Sequence, residues 1–214
     1  MVSKDNEIVG RLLAYGRGVK DGSGGDTICK DMDKRELLKY TVLMQGNKSI
    51  QVLRFLNGRM EASELRFWET QEERLREISK LSDEDIRRAF NTRSALKLGE
   101  WLRTLPGIGI KKSNMLLNIL YRDCGVKFKD LHKINVTTDV HVLRVSERLG
   151  LSDGTVKGAI SMARWYYPAY PGILDLPLLY LGMNICRKKP KCSVCFLCYL
   201  CPSTYEIPKV RVKG

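Results

Sequence analysis

Five of the seven cysteines, Cys186, Cys192, Cys195, Cys198 and Cys201, fall within sixteen residues. Disulfides are a poor use for a crowded, odd-numbered set in a chain without a secretion signal. The spacing Cys186-x5-Cys192-x2-Cys195-x5-Cys201 supplies four thiolates, enough for a [4Fe–4S] cluster or a tetrahedral zinc ion. Cys198 also creates a C-x2-C-x2-C-x2-C run followed by Pro202, partly like a bacterial ferredoxin loop, so Cys198 and Cys201 compete for the last ligand position. Between the first two cysteines lie Arg187, Lys188, Lys189 and Lys191 around Pro190. Four cations on a loop fixed at both ends are placed to grip phosphates; without a fixed loop they would be a solvated basic stretch.

A second group of residues surrounds the sequence LPGIG at 105–109. Pro106 stops one helix, and Gly107 and Gly109 allow backbone angles that other residues resist. Leu105 and Ile108 can pin the turn to a core. Such a turn leaves backbone N–H groups at the start of the next helix for a phosphate, with Lys111 and Lys112 adding charge. The positive helix end and the like charge of Lys112 both favour a neutral amine at Lys111, the form a nucleophilic lysine requires. Taken alone, Lys111 also fits a phosphate clamp or a solvated lysine. Asp139 follows Thr137 and Thr138 and opens a helix. It suits an N-cap, and its ionised carboxylate can stabilise positive charge developing on a substrate.

The elements that must position these groups read as helices. Apolar residues recur at helical spacing over 4–18, 34–46, 49–57, 83–90, 94–103, 111–122, 140–149, 153–165 and 173–186. The charged stretch from Glu61 to Leu81 carries Leu65, Phe67, Trp68, Leu75 and Ile78 on one expected face. Ser82 with Asp85 reads as a capping pair, and the glycine-rich run at 21–26 as a loop. Cys29 and Cys124 stand alone. Alternating strand patterns are scarce, so the expected fold is all-α.

The 214 residues carry 37 Lys and Arg against 24 Asp and Glu, a formal charge of +13, which points to a polyanionic partner. The surplus is concentrated in the second half: residues 1–100 hold 19 basic and 17 acidic side chains, residues 101–214 hold 18 and 7. No apolar run approaches the ~20 residues of a spanning helix. The N-terminus has no signal-peptide core, which predicts an intracellular location and no membrane partner.

LPGIGIKKSNMLLNIL, then TTDVHVLRVSERLG, then the cysteine loop together resemble the endonuclease III branch of the helix–hairpin–helix (HhH-GPD) DNA glycosylase superfamily. The motifs cover 96–201, and DKRELLKYTVLMQG at 33–46 resembles the family's first barrel helix. The resemblance implies a two-lobed architecture of a helical barrel and an iron–sulfur cluster lobe. The expected division is a barrel domain at 34–149 carrying the hairpin, and a discontinuous lobe of 1–33 plus 150–214 carrying the cluster loop at 186–201. Lys111 and Asp139 are then expected to face one another across the cleft between the lobes. By the same resemblance Lys111 is the Schiff-base nucleophile and Asp139 the catalytic carboxylate. Gln45 fills the gap left by a flipped base, and Gly107, Gly109, Lys112, Arg187, Lys188, Lys189 and Lys191 contact DNA. The cofactor is a [4Fe–4S] cluster rather than zinc, held by Cys186, Cys192, Cys195 and Cys201, the last chosen because it preserves the family's final interval.

The implied activity is base-excision repair of double-stranded DNA with a damaged, mismatched or missing base. A monomeric DNA N-glycosylase removes the base and cuts the abasic site as an apurinic/apyrimidinic lyase. A tyrosine or serine at position 111 would instead imply a monofunctional enzyme. The alternatives are a monofunctional glycosylase, a lyase acting only on abasic sites, or a non-catalytic DNA-binding protein with a structural metal cluster. Two departures bear on substrate choice: the stretch from Gln45 to Lys111 is shorter than in the family, and the connector from Lys111 to Asp139 is longer. Lys127, Lys129 and Lys133 make that connector a further candidate DNA contact.

Overall fold

The computed structural model describes residues 3–22 and 32–206. The glycine-rich residues 23–26 and Cys29 lie outside the described residues. Among the described residues every regular element is helical, as expected. In chain order these are α1 (Lys4–Gly22), α2 (Lys34–Leu43), α3 (Ser49–Leu56), α4 (Trp68–Lys80) and α5 (Asp83–Asn91), then α6 (Ala95–Thr104), α7 (Ile110–Arg122), α8 (Val140–Arg148), α9 (Val156–Tyr166) and α10 (Asp175–Asn184), with short 3-10 turns between. None of them is long and apolar enough to cross a membrane. Cys124 is disulfide-bonded, although the sequence shows it standing alone.

The chain divides into two compact units, Met1–Ser23 with Asn135–Gly214, and Gly24–Ile134. The sequence reading instead placed residues up to 149 in the barrel. Helix α8 lies in the discontinuous unit because its apolar face, Val142 and Val145, is buried in one core with Leu178 and Leu181 of α10.

In the Gly24–Ile134 unit, α2 is the central helix, in contact with α3, α4, α5 and α7. Its residues Leu37 to Leu43 are nearly all buried, so it cannot be a surface helix. A capping box starts it: the Asp33 carboxylate accepts from the Glu36 N–H (2.8 Å), and the Glu36 carboxylate from the Asp33 N–H (3.0 Å). Arg35 fixes the α4–α5 junction by donating to the carbonyls of Ile78 (2.9 Å) and Leu81 (2.7 Å). The long run expected over 61–81 is broken. Phe67 takes a left-handed conformation (φ 59°) through which a right-handed helix cannot pass, and α4 starts only after it. Phe67, expected on the apolar face, is 59% exposed.

In the other unit α10 contacts α1 and α8, and α9 packs on α8. Close approach of α8 and α10 requires Gly182, where a Cβ would come within 2.8 Å of the His141 Cβ. Leu197 and Leu200, inside the cysteine segment, are buried in the core formed with Ile8, Leu12, Val142 and Leu181. The Tyr15 and Phe196 rings, 5.0 Å apart, tie the same segment to α1.

The connector after α7 is ordered rather than an open basic loop. Asp130 accepts from the Ser94 hydroxyl (2.7 Å) and from the N–H groups of Ala95 (2.6 Å) and Leu96 (3.1 Å), and so caps α6 from outside. Burial pushes the Asp130 carboxyl up, but these hydrogen bonds outweigh it and leave the pKa lowered. Stability from Asp130 is therefore present above the ordinary aspartate pKa and lost as pH falls through the lower folded-state value. Asp130→Ala should cost about 1 kcal/mol at pH 7, read as a lower urea midpoint, and the difference from the parent should shrink at pH 3.

Candidate functional site

The hairpin is built on one left-handed residue. The Leu105 N–H donates to the Leu102 carbonyl (3.1 Å) and the Ile108 N–H to that of Leu105 (3.2 Å). Between them Gly107 has φ 77°, and a Cβ there would stand 2.6 Å from Cδ of Arg74, so conformation and space both demand glycine. Leu105 and Ile108 are buried as the two anchors. Helix α7 follows with Gly109 as its N-cap and no side-chain capping bond. Helices α2, α5, α6, α8 and α9, by contrast, have Asp33, Ser82, Ser94, Asp139 and Thr155 accepting from their first turns. The first turn of α7 thus has a positive dipole end and no side-chain acceptor of its own.

Lys111 is exposed on that first turn. Lys112 turns inward, and its Nζ donates to the Val42 carbonyl at 2.7 Å. Burial, then the charges of Arg74 and Lys111, push the Lys112 pKa down to about 8. The first turn of α7 thus carries a lysine, Lys112, whose neutral form is favoured by burial.

The same unit holds Gln45 just after α2. Its carbonyl accepts from Nε2 of the fully buried Gln71 (3.2 Å) and from Nδ2 of Asn47 (3.3 Å). Its side-chain Oε1 accepts from Arg74 Nη1 (2.9 Å). Asn47 also accepts from the Arg66 N–H (2.8 Å), joining this turn to the segment before α4. The exposed Phe67 ring lies over Gly46, where a Cβ would meet it at 2.7 Å. Arg74, Gln71 and Phe67 were not singled out from sequence as site residues. Arg74 and Gln71 are indistinguishable from their neighbours in the charged run TQEERLREISK, and only the packing of α4 reveals them.

Asp139 lies in the other unit. Its Oδ1 accepts from the N–H groups of His141 (2.8 Å) and Val142 (2.9 Å), which makes it the N-cap of α8. No hydrogen bond reaches Oδ2 among the described residues. The approach is fixed from below, since the Thr137 N–H donates to the buried Asp175 carboxylate at 2.6 Å. His141 packs on Gly182 and bonds Arg144 (2.9 Å), a structural role.

Cys186, Cys192, Cys195, Cys198 and Cys201 are free thiols that line one cavity of about 550 Å³, beside Arg148 and Thr204. Burial pushes the Cys192 and Cys195 thiols up, and neighbouring thiols push the same way. Thiolates this close need a cationic centre to balance them. Among the described residues, no three metal-binding side chains converge to hold a single ion. The thiols line this cavity together. Arg148, another residue missed from sequence, fixes the basic loop by donating to the carbonyls of Arg187 (2.5 Å) and Lys188 (3.1 Å). Its own carbonyl accepts from the Cys201 thiol (3.2 Å) and the Ser203 hydroxyl (3.0 Å). Arg187, Lys188, Lys189 and Lys191 are all exposed on the loop it holds.

Capping and carboxylate chemistry at Asp139 are separable. Asp139→Asn keeps a capping oxygen and should stay close to the parent in urea midpoint, while Asp139→Ala should lose about 1 kcal/mol.

No family model matches the chain. It is similar to endonuclease III of Synechocystis sp., 34% identical over 107 residues, 49% of this chain and 45% of that protein. It is also similar to the chloroplastic endonuclease III homolog 2 of Arabidopsis thaliana, 26% identical over 125 residues, 53% of this chain and 30% of that one. The chain spans about half the length, or less, of these curated relatives. Among solved structures, it is similar to endonuclease III in a non-covalent complex with DNA (TM-score 0.69, 20% identity, 96% of this chain and 98% of that one). It is likewise similar to a trapped endonuclease III–DNA covalent intermediate (TM-score 0.68, 20% identity, 96% and 99%). Sequence similarity over about half of the chain and fold similarity over nearly all of it both lead to proteins named endonuclease III.

Proposed function

We propose that this chain is a DNA glycosylase with abasic-site lyase activity, acting inside the cell as a monomer on duplex DNA that holds a damaged, mismatched or missing base. The observation that carries this reading is the exposed Lys111 on the uncapped first turn of α7, directly after the hairpin. The similarity to an endonuclease III trapped covalently on DNA supports it.

The hairpin amides and the loop of Arg187, Lys188, Lys189 and Lys191 bind backbone phosphates. The target nucleotide leaves the stack, at a cost of a few kcal/mol that is least for damaged or mispaired bases. Gln45 occupies the vacated space, with Phe67 beside it as an apolar face for stacking. The Lys111 amine attacks C1′ and the base departs with its bonding pair. Asp139 Oδ2, which accepts no hydrogen bond among the described residues, stabilises the positive charge that develops on the sugar. The C1′–O4′ bond then breaks, O4′ takes the proton shed by the amine, and the iminium left at C1′ acidifies C2′. Loss of a C2′ proton expels the 3′ phosphate with the electron pair of the C3′–O bond and cuts the strand.

Cys186, Cys192, Cys195 and Cys201 are proposed to hold a [4Fe–4S] cluster, with Cys198 a bystander. Bound there, the cluster cross-links the loop that carries the four cations, and the bond-breaking sequence itself oxidises nothing. Cys198→Ala should purify with full iron and sulfide content and the parent's colour, whereas Cys201→Ala should lose both. The reverse pattern would make Cys198 the fourth ligand.

Borohydride trapping on duplexes with an abasic site, thymine glycol, uracil or 8-oxoguanine tests the chemistry. The parent should form a covalent complex on at least one duplex. Lys111→Ala should form none, Lys112→Ala should still form it, and Asp139→Asn should slow it by at least about tenfold. Loss in Lys112→Ala alone would move the nucleophile to the neighbouring amine. DNA binding without trapping on any duplex would leave a monofunctional enzyme or a binding protein.

A further inference from the structure

We propose that Arg74 is a specificity-determining positioning residue, which holds the Gln45 amide in one orientation so that the chain reads hydrogen-bond acceptors on the base opposite the lesion. The inference rests on the proposed role of Gln45 in the vacated stack.

Arginine has no acceptor, so the Gln45 atom 2.9 Å from Arg74 Nη1 must be the carbonyl oxygen. The amide N–H2 group makes no hydrogen bond among the described residues, and the side chain is exposed. An unrestrained glutamine can rotate its amide and present either a donor or an acceptor. With the oxygen turned to Arg74, the free end of the Gln45 amide presents its N–H2 donors. The backbone beneath it has little freedom, because Gln71 and Asn47 both hold the Gln45 carbonyl. The Arg74 stem is held as well, since its Cδ lies against Gly107 of the hairpin. The reading group and the phosphate-binding turn are thereby coupled through one side chain on α4.

Donors alone discriminate among opposite bases by where each edge carries an acceptor, and a mismatched donor left unpaired costs about fivefold in affinity. The parent should therefore bind abasic duplexes bearing A, G, C or T opposite the site with a spread of about fivefold or more. Arg74→Met keeps an apolar stem over Gly107 and releases the amide, so its spread should collapse to within about twofold. Arg74→Lys, which restores a donor, should recover part of it. Gln45→Glu offers an acceptor where the parent offers donors, and should change the order of preference. A merely destabilised loop would lower all four affinities together and leave their ratios unchanged. Thermal melts of each variant report folding separately. An unchanged spread in Arg74→Met, or a parent that binds abasic DNA equally with all four opposite bases, would overturn the proposal. A parent that does not distinguish abasic from intact duplex would instead overturn the functional reading beneath it.

Discussion

Among the described residues no side chain caps the first turn of α7, and the proposed chemistry depends on that. Gly109 at its N-cap offers no side-chain oxygen, and the Gly107 turn before it is too tight for any other residue. A helix start so exposed favours an anion. Everything nearby is cationic: Lys111 on the turn, Lys112 beneath it and Arg74 across Gly107. A phosphate is the ligand that this arrangement accepts most readily. Once DNA is held there, Lys111 is the exposed amine nearest in sequence to the bound backbone.

The fold was largely legible because helical periodicity and caps are local signals. Ser82 with Asp85, and Asp139 with its two preceding threonines, open helices where their types and spacing said they would. The gathering of the cysteines was legible for the same reason, since their spacing is written in the chain. The break at Phe67 was not legible. Its apolar neighbours fit a continuous helical face, and only a left-handed backbone turns the ring outward. The affiliation of α8 also escaped, because an apolar face announces burial without naming its partner.

The site residues divide along the same line. Lys111, Asp139 and the cysteines stand in short motifs. Arg74, Gln71 and Arg148 act across long sequence separations, on carbonyls or side chains that no pattern marks. The lowered pKa of Lys112 escaped for a related reason: burial beside the Val42 carbonyl, its largest cause, is not written in the local sequence. Arg148 shows the same economy in the cysteine segment: one guanidinium fixes the backbone of the basic loop while its own carbonyl receives a cysteine thiol. The cysteine cavity and the basic loop are therefore one structural object.

The central claim is that Lys111 itself carries the substrate. Peptide mapping of the borohydride-reduced complex by mass spectrometry tests it most directly. The account predicts a sugar adduct on the Nζ of Lys111, in the peptide that follows the hairpin. An adduct on Lys112, or on any amine outside that first turn, would contradict it.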